Sequence, residues 1–327
     1  MNILLQLIKL FPPEAAHKLA LNSLFILYKF RILNLFFPKF IDKEIEFLGM
    51  KLTNRLGTAA GLDKDGDFID CLGALGFGFL EVGTVTPLPQ KGNPKPRIFR
   101  LFKENAVINR LGFNNKGVDH LVKRLKARHY KGIVGVNIGA NKDSQDEKRI
   151  DDYLQCFKKV CDYADYITIN ISSPNTPGLR DLHTIDNIKS LTEPIEREAK
   201  IKNFKGPIFL KISPDESSDS ISFLADFIEE SSLSGLIISN TTINKDCLKI
   251  KEDQAIEGGL SGTPLMKKST EALKVVNNKN PKLPLIGVGG VMSESDFNEK
   301  INSGASLVQI YTGFIIHGPK IVSEILN

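Results

Sequence analysis

The sequence predicts an α/β protein, a (β/α)8 TIM barrel carrying a small N-terminal helical module. Three observations predict it. Eight short runs rich in Val, Ile and Leu recur after residue 41, most of them followed by a helical pattern. The runs are almost continuously apolar, as strands covered on both faces of a parallel sheet are. The length of 327 residues suits one barrel of about 250 residues with an appendage, and no low-complexity linker divides the chain after residue 41. The expected division is 1–41 for the helical module and 42–327 for the barrel.

The module comes first in the chain. Residues 1–40 are rich in Leu, Ile and Phe, yet their best uncharged run, 19–28, is ten residues between Lys18 and Lys29. A spanning helix needs about 20, so no crossing is expected. Pro12 and Pro13 divide the segment into two short helices, and in the second Ala16, Ala20, Leu24 and Leu27 share one face. Phe25, Ile26, Tyr28 and Phe30 lie off that stripe. Two readings follow from the pattern: a helical pair packed on the barrel, or an interfacial anchor with lysines at anionic headgroups. The cluster Phe36-Phe37-Pro38-Lys39-Phe40 suits the second. Five bases and one acid here account for four of the five net positive charges, leaving the main domain near neutral with no basic stripe for nucleic acid.

The eight runs are 56–60, 79–83, 133–137, 166–170, 208–211, 236–239, 285–288 and 307–311, with helices expected over 219–230 and 293–303. Between the second and third, a Pro-rich stretch precedes 97–101 and 107–109, expected as a hairpin over the barrel top. Between the sixth and seventh lies a long loop through Gly258-Gly259-Leu260-Ser261-Gly262. Hydrophobic residues at 42% and charged residues at 25% exclude wholesale disorder. The four cysteines (Cys71, Cys156, Cys161, Cys247) form no C-x-x-C pair and read as reduced, mostly buried thiols.

Polar residues at the C-terminal ends of barrel strands converge on one face. Here they are Lys64, Thr84, Asn137, Asn170, Ser173, Asn175, Lys211, Ser239, Asn240, Thr241, Gly289, Gly290, Tyr311 and Thr312. Amides, hydroxyls and two lysines dominate, and no histidine stands at a strand end. Metal-assisted hydrolysis lacks its ligands, a Ser-His-Asp hydrolase its histidine, and a glycosidase its carboxylate pair. Asp63-Lys64-Asp65-Gly66-Asp67 resembles a calcium loop, but the required glycine position falls on Phe68, so no metal site is expected. The set suits a planar cofactor with a phosphate tail, its phosphate near Gly287-Val288-Gly289-Gly290 and Tyr311-Thr312-Gly313. Lys211, inward among apolar neighbours, would either carry a Schiff base or hold negative charge on a reduced flavin; a structural ion pair is the bland alternative.

Several stretches resemble the dihydroorotate dehydrogenases of the membrane-associated, quinone-using class. They are Ala59-Ala60-Gly61-Leu62-Asp63-Lys64-Asp65-Gly66, Glu81-Val82-Gly83-Thr84-Val85-Thr86-Pro87, and Asn109-Arg110-Leu111-Gly112-Phe113-Asn114-Asn115. The most specific is Asn170-Ile171-Ser172-Ser173-Pro174-Asn175-Thr176-Pro177-Gly178-Leu179-Arg180, joined by the Gly258–262 loop and the glycine turn after residue 285. The resemblance covers essentially the whole chain.

It implies one FMN per subunit and oxidation of dihydroorotate to orotate in pyrimidine synthesis. By position, the FMN contacts are Ala60, Gly61, Lys64, Thr84, Asn137, Asn170, Lys211, Ser239, Gly262, Gly290, Tyr311 and Thr312. The orotate site is Lys64, Asn109, Arg110, Leu111, Gly112, Phe113, Asn170, Asn175, Asn240 and Thr241. Ser173 is the implied base, taking the C5 proton while C6 gives hydride to flavin N5. Soluble members of the family carry cysteine there, so serine argues for the quinone class. Ser239 stands where threonine is expected, which preserves the hydroxyl. The first forty residues become the membrane-docking module and quinone entry, at the cytoplasmic face of the membrane in a bacterium. No obligate protein partner is evident.

Overall fold

The computed structural model describes residues 10–37, 44–172 and 185–326. An antiparallel hairpin, β1 (Ile45–Phe47) and β2 (Met50–Leu52), precedes the first barrel strand, β3 (Leu56–Thr58). Then come β4 (Phe79–Val85), β5 (Ile98–Leu101), β6 (Ala106–Asn109), β7 (Ile133–Ile138), β8 (Tyr166–Asn170) and β9 (Ile208–Ile212). The last are β10 (Gly235–Ile238), β11 (Gly259–Gly262), β12 (Leu285–Val288) and β13 (Leu307–Ile310).

Eight of these close into a barrel of parallel neighbours in the cyclic order β3-β4-β7-β8-β9-β10-β12-β13. Each matches one apolar run of the sequence, with ends differing by two residues at most. Both strand faces are buried, as the continuous runs require. In β8, Ile167 and Ile169 pack outward in the core shared with the helices, whereas Tyr166, Thr168 and Asn170 alternate with them and face the interior. The helices expected over 219–230 and 293–303 are Ser218–Glu230 and Glu294–Asn302. Ser217 and Ser293 cap them, each hydroxyl accepting the backbone N–H three residues on.

Two additions frame the barrel. The β1–β2 hairpin, which no strong pattern announces, closes the N-terminal mouth. Its Phe47 ring stacks on Phe209 at 6.2 Å, and Met50 and Leu52 join Phe79, Tyr166 and Phe209 in a separate core. Over the opposite mouth, β5 and β6 form the expected hairpin, and β11 adds a third antiparallel strand against β6. The glycine-rich segment 258–262 is therefore partly strand. Its lack of branched residues hides this in the sequence.

The helix Pro13–Lys29 starts with proline in its first turn, where the missing N–H is not needed. Ala16 and Leu24 are buried as the stripe predicts, but Leu21 is buried off that stripe. The packed face is thus rotated from the predicted one: Leu21 joins Ala16 and Leu24, whereas Ala20 and Leu27 are only half-buried. Glu14 pairs with Arg97 and, at 2.6 Å, with Lys95, while Arg100 donates to the Phe11 carbonyl at 2.6 Å. These bonds fasten the module to the barrel top. A short helix, Leu33–Phe36, follows, and Ile26, Phe30, Leu35 and Phe36 stay exposed. The first expected helix falls mostly before residue 10, and the 41/42 boundary within 38–43, both outside the described residues. Among the described residues no helix is long and apolar enough to cross a membrane. All four cysteines are free thiols, and Cys247 is the exposed one.

Candidate active site

At the C-terminal ends of the barrel strands one cavity brings together most of the predicted positions. From the cofactor set it is lined by Ala60, Gly61, Lys64, Thr84, Asn170, Lys211, Ser239, Gly262, Gly290, Tyr311 and Thr312. From the substrate set it adds Asn109, Leu111, Gly112, Phe113, Asn240 and Thr241. Two expected residues are not on its wall. Asn137 lies one layer below, accepting from Thr84 Oγ1 at 2.5 Å and from Asn170 Nδ2 at 3.1 Å. Arg110 turns away, its guanidinium on the Pro96 carbonyl and, at 3.2 Å, on Glu257. Ser173 and Asn175 lie outside the described residues.

Beneath the cavity sits a polar layer. The Glu81 carboxylate, fully buried, accepts from Asn137 Nδ2 (2.9 Å), Gln309 Nε2 (2.8 Å), Tyr166 Oη (3.0 Å) and Thr168 Oγ1 (3.1 Å). Four bonds from three strands, β7, β8 and β13, satisfy the carboxylate inside the barrel. Above it Lys211 is 4% exposed and has no hydrogen-bond partner among the described residues. Desolvation pushes its ammonium below the usual lysine range, and the Glu81 charge opposes that shift.

The two ends of the cavity differ. At one end, Gly289 and Gly290 follow β12 with positive φ and lie against the start of the helix Met266–Lys279. A Cβ at Gly290 would fall 2.3 Å from Met266 Cα, so only glycine permits this approach. Thr312 donates to Ser261 at 2.8 Å beside it. This is the usual phosphate end of such a barrel. At the other end, Lys64 donates to Asn114 Oδ1 at 2.7 Å, and burial followed by the nearby Arg97 charge pushes its pKa down to about 7. Asn240 donates to Ser172 at 3.0 Å and accepts from the Thr241 N–H at 2.8 Å. That end suits a small anion with amide edges. Thr241 Oγ1 and Gln309 Oε1, both in residues of the cavity wall, are buried without a hydrogen-bond partner among the described residues. Unmet polar atoms, an unpaired buried cation and a glycine cradle fit a polar cofactor with a phosphate tail.

A sequence profile of the dihydroorotate dehydrogenase family matches residues 43–327. The chain belongs to that family. It is 46% identical over 318 residues to the dihydroorotate dehydrogenase (quinone) of Saccharophagus degradans, covering 95% of this chain and 93% of the relative. It is 47% identical to that of Marinobacter nauticus, covering 96% and 94%. The crystal structure of the Eimeria tenella dihydroorotate dehydrogenase with ferulenol superposes with a TM-score of 0.86 at 34% identity, covering 96% of this chain and 89% of the other. Dihydroorotate dehydrogenases are in general flavin-dependent.

A second, larger cavity of about 830 Å3 lies between the helix Pro13–Lys29 and the barrel. Ala16, Leu21, Leu24, Leu27 and Phe314 are among the residues that make its wall mainly apolar by area, while charged side chains including Glu14, Lys18, Lys64, Asp67, Arg100 and Arg124 also line it. His17 Nε2 is 2.9 Å from the Leu62 carbonyl, and burial holds its pKa below the ordinary histidine value. The two cavities share Gly61, Lys64, Leu111 and Tyr311. In this member of the dihydroorotate dehydrogenase family, an apolar chamber and the polar site thus have a wall in common. Gln309, Ser261 and Met292 also line the polar cavity, and Glu81 underlies it. Glu81 and Gln309 had a visible signal, each being a long polar side chain inside an otherwise apolar run.

Proposed function

We propose that this chain oxidises dihydroorotate to orotate, with FMN in the polar cavity and a membrane quinone as final acceptor. Named relatives at 45–47% identity over nearly the whole chain support the reaction. The observation that carries the finer reading is the shared wall: a site for a small anion meets an apolar chamber at Gly61, Lys64, Leu111 and Tyr311.

FMN would be held by Ala60, Gly61, Lys64, Thr84, Asn170, Lys211, Ser239, Gly262, Gly290, Tyr311 and Thr312, its phosphate toward Gly290 and Thr312. When bound, it supplies the hydride acceptor for C6 of dihydroorotate and the two-electron store that quinone later draws on. Lys211 would place a cation where the reduced ring gathers negative charge. Lys64 and the amides of Asn109, Asn175 and Asn240, with Thr241, would hold the carboxylate and imide edges of the substrate. Leu111, Gly112 and Phe113 would wall the ring, while Asn137 acts only through Thr84 and Asn170. Ser173 would take the C5 proton. A serine hydroxyl is intrinsically a poor base, so its surroundings must exclude water and pass the proton on. The module of residues 1–40 would rest on the cytoplasmic membrane surface and admit quinone into the apolar chamber.

The test is anaerobic reduction of the purified protein by dihydroorotate, followed by mixing with a quinone, fumarate or NAD. Flavin bands that bleach with dihydroorotate and return only with quinone are expected. A spectrum without flavin bands, or reoxidation by fumarate alone, defeats the reading. Ser173→Ala should keep flavin bound and slow its reduction by dihydroorotate; an unchanged rate would remove Ser173 as base.

A further inference from the structure

Lys300 lies on the helix Glu294–Asn302, on the outer layer of the barrel, and none of its surface reaches solvent. Its Nζ donates to Ser269 Oγ at 2.5 Å and Thr270 Oγ1 at 2.8 Å, with the Met266 carbonyl at 3.5 Å. Every one of these partners is neutral. Asp296 and Glu299, on its own helix, act on it only at a distance, and desolvation brings its pKa down to about 7. A buried ammonium without a bonded carboxylate is a poor way to stabilise a fold, since a flexible apolar side chain would fill the space without the desolvation cost.

Its partners suggest what the charge is for. Ser269 Oγ lies 3.0 Å from the carbonyl of Gly289, and 2.9 and 3.1 Å from those of Leu265 and Met266 on its own helix start, so its one proton is shared among three acceptors, of which Gly289 is the one on the turn. Gly289 leads directly into Gly290, whose backbone is pressed on Met266 at the start of the helix Met266–Lys279. The first turn of that helix has no acidic residue, although the positive end of a helix dipole favours one there. It contains Lys267 and Lys268 instead, committed to Glu271 at 3.9 Å and Asp215 at 2.5 Å. The helix start and a buried ammonium whose bonded partners are all neutral therefore flank one glycine turn, and no carboxylate bonds to that ammonium. A dianion on the cavity side of the turn would balance both.

We infer that Lys300 is a positioning residue for the cofactor phosphate: it clamps Gly289 through Ser269 and adds positive potential behind the Gly289–Gly290 turn. This rests on the reading that FMN occupies the cavity with its phosphate at that turn. Lys300 touches neither cofactor nor substrate. Its effect is selective for the phosphate-bearing cofactor, which separates it from a mere packing role.

The test uses deflavinated full-length protein titrated with FMN and with riboflavin, the same ring without phosphate. Wild type should prefer FMN. Lys300→Met should weaken FMN binding about tenfold, the scale of a helix-terminus charge effect, and change riboflavin binding less than about twofold. The Lys300→Met apoprotein should melt no lower than wild-type apoprotein, because a desolvated charge has gone. Equal losses for FMN and riboflavin, or a lower apoprotein melting temperature with an unchanged FMN preference, would overturn the inference and make Lys300 a structural brace. Ser269→Ala keeps the ammonium but cuts its link to Gly289, so it reads the same selectivity should Lys300→Met give no folded protein. An unchanged FMN-to-riboflavin ratio there also overturns it. A wild type that binds both ligands equally refutes the phosphate reading itself, before any variant is compared.

Discussion

Replacing Lys64 by methionine tests the substrate end of the site most directly. The side chain keeps its length and apolar stem while losing the ammonium that donates to Asn114 at 2.7 Å. A hydrogen bond to a charged group contributes about 1.5–3 kcal/mol net, so orotate should bind roughly 10- to 150-fold more weakly. Protonation sets the pH dependence. With its pKa pushed down to about 7 by burial and by Arg97, Lys64 is charged below that pH and neutral above it in the unliganded site. An anionic ligand selects the charged form. The wild-type dissociation constant should therefore stay level below about pH 6 and rise toward tenfold per unit above pH 7. In Lys64→Met it should be high and level throughout. The assay is orotate titration of the oxidised protein between pH 6 and 8.5, read from the flavin spectrum, with flavin content checked first. A level wild-type profile, or a Met variant that keeps the slope, would refute the assignment of Lys64 to the anion.

Gly290→Ala should lower the flavin-to-protein absorbance ratio. A Cβ there meets Met266 Cα at 2.3 Å in a backbone of φ +86°, a strain of about 1–2 kcal/mol before any displacement of the turn; full flavin content with an unchanged melting temperature would count against the cradle. Phe209→Ala should cost about 3–5 kcal/mol in urea unfolding, because the ring is fully buried and carries the stacked Phe47 of the N-terminal hairpin. A loss below about 1 kcal/mol, small for a buried aromatic, would show that the hairpin is not a plug. Removing residues 1–40 deletes one wall of the apolar chamber, so quinone turnover should fall while the rate of flavin reduction by dihydroorotate holds; equal losses in both would argue against quinone entry through this module.

Local chemistry settled much of this protein in the sequence. Eight apolar runs of the right length become eight strands because branched side chains buried on both faces leave few other conformations. Ser217 and Ser293 mark helix starts because a hydroxyl there meets an otherwise orphaned N–H. The glycines after β12 were legible for the same local reason, since positive φ excludes other residues. Tertiary structure decided what local chemistry cannot. Asn137 and Asn170 look equivalent as strand-end amides, yet only Asn170 reaches the cavity wall, because strand register and barrel tilt set how high each side chain stands. Arg110 sits inside a recognisable motif, but the hairpin that carries it turns the guanidinium toward Pro96 and Glu257. Glu81 and Gln309, 228 positions apart, bond only because the barrel closes β13 onto β3 beside β4. The meeting of the polar site with the apolar chamber depends on how one N-terminal helix packs across the barrel top. Periodicity along a chain encodes which face of an element is apolar; which surfaces then meet is a long-range outcome of closure and packing.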